Sequence, residues 1–177
     1  INAEGQLFVA NTHNNTIRKI DRNNNVSTIA GTGIRGYRDD VGTQAQFSYP
    51  NGIAINAAGE LFVADNYNNR IRKIDIDNNV TTIAGDGTVG YRDGDGTQAQ
   101  FAFPNGIAIN AAGELFVSDT NNNSIRKIEG ASTTGGIGGA AAALGPIRVT
   151  TIAGDGGSVG HRDGVGTQAQ FAFPKGI

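Results

Sequence analysis

At 177 residues, with 14 basic and 16 acidic side chains and a formal charge of −2, the chain lacks the basic excess that neutralising a nucleic-acid backbone requires. It contains no cysteine, which excludes a disulfide framework and a thiolate metal centre. No run of residues approaches the roughly 18 apolar positions of a membrane-spanning helix, so no membrane span is expected.

Taken in order, residues 1–54 and 55–108 match at 38 of 54 positions without a gap, and a third copy begins at Ile109. Self-similarity at this period marks a solenoid, propeller or array, because a unit this short cannot bury its own apolar faces. The expectation is one domain built of units 1–54, 55–108 and 109–177.

The second unit shows the elements most plainly. Gly52-Ile53-Ala54-Ile55 reads as a first strand entered from Pro50, and Asn56-Ala57-Ala58-Gly59 closes it as a turn. Leu61-Phe62-Val63-Ala64 is a second strand whose two faces are both apolar, as a strand covered on both sides requires. Asp65-Asn66-Tyr67-Asn68-Asn69 supplies residues that tolerate left-handed backbone and so predicts a hairpin. The third strand, Ile71-Arg72-Lys73-Ile74, mixes charge with apolar residues and is expected nearer solvent. The fourth, Val80 to Ala84, follows the turn Asp77-Asn78-Asn79. A glycine-rich connection from Gly85 to Gln100 leads through Phe101-Ala102-Phe103-Pro104 to the next unit. In the third unit an insertion of about residues 130–146, rich in Gly, Ala, Ser and Thr, reads as a flexible linker. The stripe of Ile137 and Ala140 to Leu144 offers a contact arm as the alternative.

Four-stranded antiparallel sheets with two apolar faces are stable when repeated radially, which gives a propeller of typically four to eight blades. The pattern Pro-x-Gly-Ile-Ala, Gly-x-Leu-Phe-Val-Ala-Asp, Asn-Asn before Ile-Arg-Lys-Ile, then Val-Thr-Thr-Ile-Ala-Gly resembles the NHL repeat family of β-propellers. The resemblance implies an all-β fold of four-stranded antiparallel blades, three per chain, in a ring of six blades when complete. The chain would then supply strands two to four of its first blade, two whole blades and the start of a fourth at Pro174 to Ile177. Two copies closing one ring head to tail, or a longer polypeptide of which this is half, both satisfy that reading. The unpaired edges favour self-association in either a ring or an extracellular filament.

In such a propeller the hairpins between second and third strands emerge with the inter-blade connections on one face. His13, Tyr67, Tyr37 and Tyr91 are expected there, with the recurrent pairs Arg38-Asp39, Arg92-Asp93 and Arg162-Asp163. These neighbouring residues are read as ion pairs that fix the long connections. Asp93 and Asp95 alternate as calcium ligands can, but Thr97 and Pro104 stand where further ligand positions would fall, so the calcium reading is the weaker one. Asp65 and Asp119, with Asn11 at the matching position, are read as acceptors for the turn amides. Arg18, Arg72 and Arg126 are read as structural. Gly31 to Gly36 and Gly85 to Gly90 fit a dinucleotide-binding pattern, yet neither opens a helix, and they are read as connections.

Near-identical units supply the same groups several times over, whereas catalysis usually needs one asymmetric constellation. No Ser, His and acid set and no clustered metal ligands stand out, so no cofactor and no catalytic residue are expected. The expected function is a non-enzymatic scaffold for protein binding or self-assembly, extracellular or periplasmic. A metal-dependent lactonase or lyase is the enzyme alternative that the family resemblance raises, and its channel ligands are missing at the matching positions. Carbohydrate stays open as a ligand class, with few aromatic residues to stack on sugars.

Overall fold

A computed structural model of the chain describes residues 1–131 and 146–177. The central part of the insertion, including Ile137 and Ala140 to Leu144, lies outside the described residues. Asn and Gly punctuate the chain into short extended runs, and these form three antiparallel sheets with no α-helix among the described residues. The first sheet holds β1 (Leu7–Asn11), β2 (Thr16–Ile20) and β3 (Val26–Ala30) in that order. The second runs β4 (Asp40–Val41), β8 (Asn79–Ala84), β7 (Arg70–Ile74), β6 (Leu61–Asp65) and β5 (Pro50–Ile55). The third repeats it with β9 (Gly94–Asp95), β13 (Arg148–Ala153), β12 (Ser124–Glu129), β11 (Leu115–Asp119) and β10 (Pro104–Ile109).

The four long strands of each complete unit fall where the sequence predicts them. A fifth strand of two residues was not foreseen: β4 pairs with β8 and β9 with β13, so each connection leaves one sheet and clips the outer edge of the next. The first sheet has three strands, and the chain is therefore a partial propeller with two complete blades and an incomplete one.

Period-two alternation explains how the sheets stack. Leu61 and Val63 of β6 pack toward the first sheet with Ile17, Phe47 and Ile74. Phe62 and Ala64 pack toward the third with Ile71, Phe101, Ile107 and Val117. The middle sheet is thus covered on both sides. In the first sheet the matching residues Leu7 and Val9 are 44% and 41% exposed, since no sheet among the described residues packs on that side.

Near the axis the inner strands approach backbone to backbone. A Cβ on Gly52 would stand 2.3 Å from the Asn105 carbonyl oxygen and 3.0 Å from the Gly106 Cα, so only glycine lets β5 and β10 lie this close. Crowded inner strands and wide outer strands make each sheet a wedge.

Aspartates tie the turns. Asp155 accepts the backbone N–H of Ser158 at 2.8 Å and that of Gly157 at 3.2 Å. These bonds favour the carboxylate and draw its pKa down from 3.8 to about 2, the Ser158 amide contributing most. Because the folded value is lowered, the stabilisation is present above the unfolded value near 3.8 and is lost as pH falls through about 2. Carboxyl-resolved NMR over an acid titration should show Asp155 ionised well below pH 3.8; a midpoint at the ordinary value would mean the turn bonds are not formed.

Candidate functional site

Two systems of side chains join the sheets, one buried and one on the surface. The buried system centres on Arg72, which is fully enclosed together with Asp65. Its NH1 donates to Asp65 Oδ2 at 2.8 Å and to the Gln46 carbonyl at 3.0 Å. Its Nε donates to Asp39 Oδ1 at 3.0 Å and its NH2 to the Arg38 carbonyl at 2.9 Å. The rings of Tyr37 and Phe47 flank it at 5.1 and 5.0 Å. The third sheet repeats the arrangement, with Arg126 bound to Asp119 at 2.6 Å and to Asp93 at 2.7 Å.

This corrects three expectations. Arg38-Asp39 and Arg92-Asp93 are not pairs, because successive residues of an extended chain point to opposite sides. Asp39 and Asp93 instead reach forward to the arginine of the next sheet, while Arg38 and Arg92 bind the carbonyls of Gln44 and Gln98. In the third unit Arg162 likewise binds the Gln168 carbonyl, at 2.9 Å, and Asp163 has no partner among the described residues. The third strand is not nearer solvent: Arg72 is buried because two carboxylates and two carbonyls neutralise and satisfy it. Asp65 accepts the Ser48 N–H and the Asn68 side-chain amide at 2.8 Å each, so it ties the hairpin to the incoming strand and binds no backbone amide of its own turn. Burial pushes the Asp65 and Asp119 carboxyls above their ordinary value, while the arginines and the amide donors pull the other way.

Tyr37 and Tyr91 are exposed, at 45% and 42%, and each lies against the buried system with one side of its ring. Tyr37 lies under Arg70 at 3.8 Å and its hydroxyl shares a hydrogen bond with Thr82 at 3.1 Å. Tyr91 stands 5.2 Å from the Arg126 guanidinium and against Gly156. Both cover a joint between sheets. The two carboxylates of the weak calcium reading are engaged by cations: Asp93 by Arg126, and Asp95 by Arg148 at 3.6 Å. Among the described residues, no group of three or more His, Asp or Glu converges as metal ligands would.

The surface system is a ridge of aromatic rings. The hairpins carrying His13 and Tyr67 are short 3₁₀ turns closed by Asn15 and Asn69, both in left-handed backbone at φ 51°. Each of these asparagines then uses its side-chain oxygen to accept the N–H of the aromatic residue leading into the next sheet, Tyr49 at 2.9 Å and Phe103 at 3.0 Å. Tyr49 and Phe103 sit at φ 51° and 54°, which is strained for bulky residues and is held by that bond. The consequence is a continuous row. His13 meets Tyr49 edge-on at 5.7 Å, Tyr49 meets Tyr67 at 4.6 Å, and Tyr67 meets Phe103 edge-on at 5.4 Å.

Arg35 lies over the row, 5.3 Å from the Tyr49 ring and 4.9 Å from that of Tyr67, with its Nε bonded to the Ser48 hydroxyl at 2.9 Å. Tyr67 is 48% exposed. Sequence reasoning placed His13 and Tyr67 on this face and missed Tyr49, Phe103 and Arg35. The signal was there in Phe47-Ser48-Tyr49 and Phe101-Ala102-Phe103: period two would place both rings on one face, and the positive φ of Tyr49 and Phe103 turns the second ring away, leaving it half-buried while the first is enclosed. His161 stands apart from the row, on the connection of the third unit.

Residues 47–74 and 101–128 match the family pattern described as NHL repeat. The chain is 33% identical over 134 residues to Protein SUPPRESSOR OF QUENCHING 1, chloroplastic, of Arabidopsis thaliana, covering 70% of this chain and 13% of that protein. It is 34% identical over 136 residues to NHL repeat-containing protein 2 of Homo sapiens, covering 70% of this chain and 19% of that one. The chain therefore spans a small part of the length of the curated relatives it matches. Among solved structures, a protein of unknown function from Bacteroides thetaiotaomicron superposes with a TM-score of 0.72 at 20% identity, over 97% of this chain and 38% of that one. That likeness concerns the fold.

Proposed function

The chain belongs to the NHL-repeat family, and on that premise we propose that it is a non-enzymatic platform which captures a protein partner along the aromatic ridge. A propeller of this family suits binding or scaffolding in general, because its rigid sheets hold surface loops in fixed relation. The ridge His13–Tyr49–Tyr67–Phe103 is the observation that carries the finer reading. Rings held rigid by their neighbours, His13 and Tyr67 exposed and Tyr49 and Phe103 half-buried, offer contact area at little entropic cost, which is how aromatic residues come to dominate binding energy. Arg35 adds one fixed cation beside the rings, so the favoured partner is an extended peptide segment with an apolar or aromatic side chain next to a carboxylate. Nothing along the row pairs a general base with a nucleophile, which supports a binding role over catalysis.

Panning a displayed random-peptide library on the chain tests this. Enriched peptides should carry an acidic residue beside an aromatic one, and Tyr49→Ser with Tyr67→Ser should weaken them at least about 30-fold, the loss expected for truncated hot-spot rings. Arg35→Gln should weaken the acidic binders selectively. Peptides that bind the double variant as well as the parent chain would rule the ridge out.

A further inference from the structure

The ridge keeps one frame and changes its chemistry along its length. At the joint between the first and second sheets it is built of Arg35, Ser48, Tyr49 and Tyr67; at the joint between the second and third, the matching positions hold Val89, Ala102, Phe103 and Asn121. The backbone is the same at both. Tyr67 and Asn121 donate their N–H to the Ser48 and Ala102 carbonyls at 3.0 Å each, and Gly36 and Gly90 donate to the Phe47 and Phe101 carbonyls at 3.0 and 3.1 Å. What differs between the joints is the side chains.

The first joint presents a cation without a counter-charge. Arg35 donates its Nε to the Ser48 hydroxyl and rests on the Tyr49 and Tyr67 rings. Its two terminal nitrogens meet no acceptor among the described residues, whereas those of Arg70, Arg72 and Arg126 are bonded to carboxylates or backbone carbonyls. A planar fork held by two rings and one hydrogen bond is preorganised for a carboxylate. At the second joint three of the four groups give way to apolar ones: Val89 for Arg35, Ala102 for Ser48 and Phe103 for Tyr49. Val89 is 56% exposed, and its backbone bridges to Phe101, two residues before Phe103. A carboxylate seated there would lose water and gain no donor. An aliphatic side chain would instead take apolar surface out of water.

We infer, on the footing of the peptide capture proposed above, that the ridge holds its partner in one polarity, with the peptide's carboxylate on Arg35 and an aliphatic side chain of the same peptide on Val89 and Phe103. Tyr67 lies between the two seats, 4.6 Å from Tyr49 and 5.4 Å from Phe103. Two such steps match about three residues of polyproline-type chain at roughly 3.1 Å each, and three residues per turn bring the side chain back to the same side. The acid and the aliphatic residue therefore stand three positions apart, with the aromatic residue next to the acid and against Tyr67. A reversed peptide would place its carboxylate on valine and leave the Arg35 fork empty, so the unlike ends of the ridge fix which way the peptide lies.

The test pans one displayed random-peptide library on the parent chain and on an exchange variant, Arg35→Val with Val89→Arg and Ala102→Ser. Arg35 and Val89 are exposed, and Ala102 and its counterpart Ser48 are each 3% exposed, so the exchange leaves the sheets as they are. Peptides enriched on the parent should carry the acid and the aliphatic residue three positions apart in one constant order. Those enriched on the variant should keep the spacing and reverse the order. Replacing the aliphatic residue of a parent-selected peptide by Asp should weaken it at least about tenfold in a fluorescence titration, the effect of desolvating a charge that gains no partner. Peptides that enrich on the parent and are lost with Tyr49→Ser and Tyr67→Ser, yet show the two residues in either order or in the same order on the exchange variant, would overturn the polarity and leave peptide capture standing. Peptides indifferent to the tyrosine substitutions would overturn both.

Discussion

Arg72→Leu is expected to lower the unfolding free energy by about 3–5 kcal/mol, the range for removing one partner of a buried ion pair. Against a typical total of roughly 5–15 kcal/mol, that is enough to leave a large unfolded fraction. The cost arises less from the attraction lost than from what stays behind. Asp65 would remain wholly buried and charged, with only the Ser48 and Asn68 amides to solvate it. Burial already pushes its carboxyl upward with the guanidinium in place. The double change Arg72→Leu with Asp65→Asn should therefore recover part of the loss, since Asn keeps an acceptor for Ser48 and leaves no buried charge. Asn11 already occupies that position in the first unit. Asp39→Asn should cost much less, because Asp39 is 38% exposed and water can replace part of what it provides. Urea melts of the three variants check the order; an Arg72→Leu chain as stable as its parent would mean that the buried cation is dispensable.

Gly52→Ala comes second, with an expected cost of about 1–3 kcal/mol or more, the range for overpacking a tight interior. The clash is with backbone on the neighbouring strand: the Asn105 carbonyl oxygen at 2.3 Å and the Ile107 nitrogen at 2.8 Å from the added carbon. Neither atom belongs to a side chain that can rotate away, so the sheets must part or the strand must shift. For a chain of this size each kcal/mol lowers the melting temperature by roughly 2–4 °C. Gly157→Ala is the control, since nothing stands within 4 Å of its added carbon, and it should stay within about 0.5 kcal/mol of the parent. Equal melting temperatures for the two variants would show that the inner strands are not in contact.

The strands and their stacking were legible because period two is a local signal. Leu61-Phe62-Val63-Ala64 declares two buried faces in four residues. The place of Arg72 was not legible: its neutralising partner Asp39 lies 33 residues earlier across a connection without periodicity, and a charge in an apolar strand reads as a wish for water. The two-residue strands β4 and β9 are too short for any alternation to show. On the surface, His13 and Tyr67 announced themselves as aromatic residues in Asn-rich turns. Tyr37 and Tyr91 are exposed in their glycine-rich connections as their sequence suggests, and each also covers an arginine that only the stacking of sheets brings beneath it. Arg35 is not legible from what the units share. Val89 and Val159 stand in its place elsewhere, and departure from the repeat was the clue to a local role.

Each connection delivers its aspartate to the following sheet, so the stretch that recurs along the gene and the wedge that recurs in space are out of step. Any crossover that adds or removes one whole period leaves the arginine of each sheet that follows a connection with its acid, as Arg72 and Arg126 are now. A loss of half a period would strand a cation inside the protein. The array can thus lengthen or shorten by duplication without inventing a new surface.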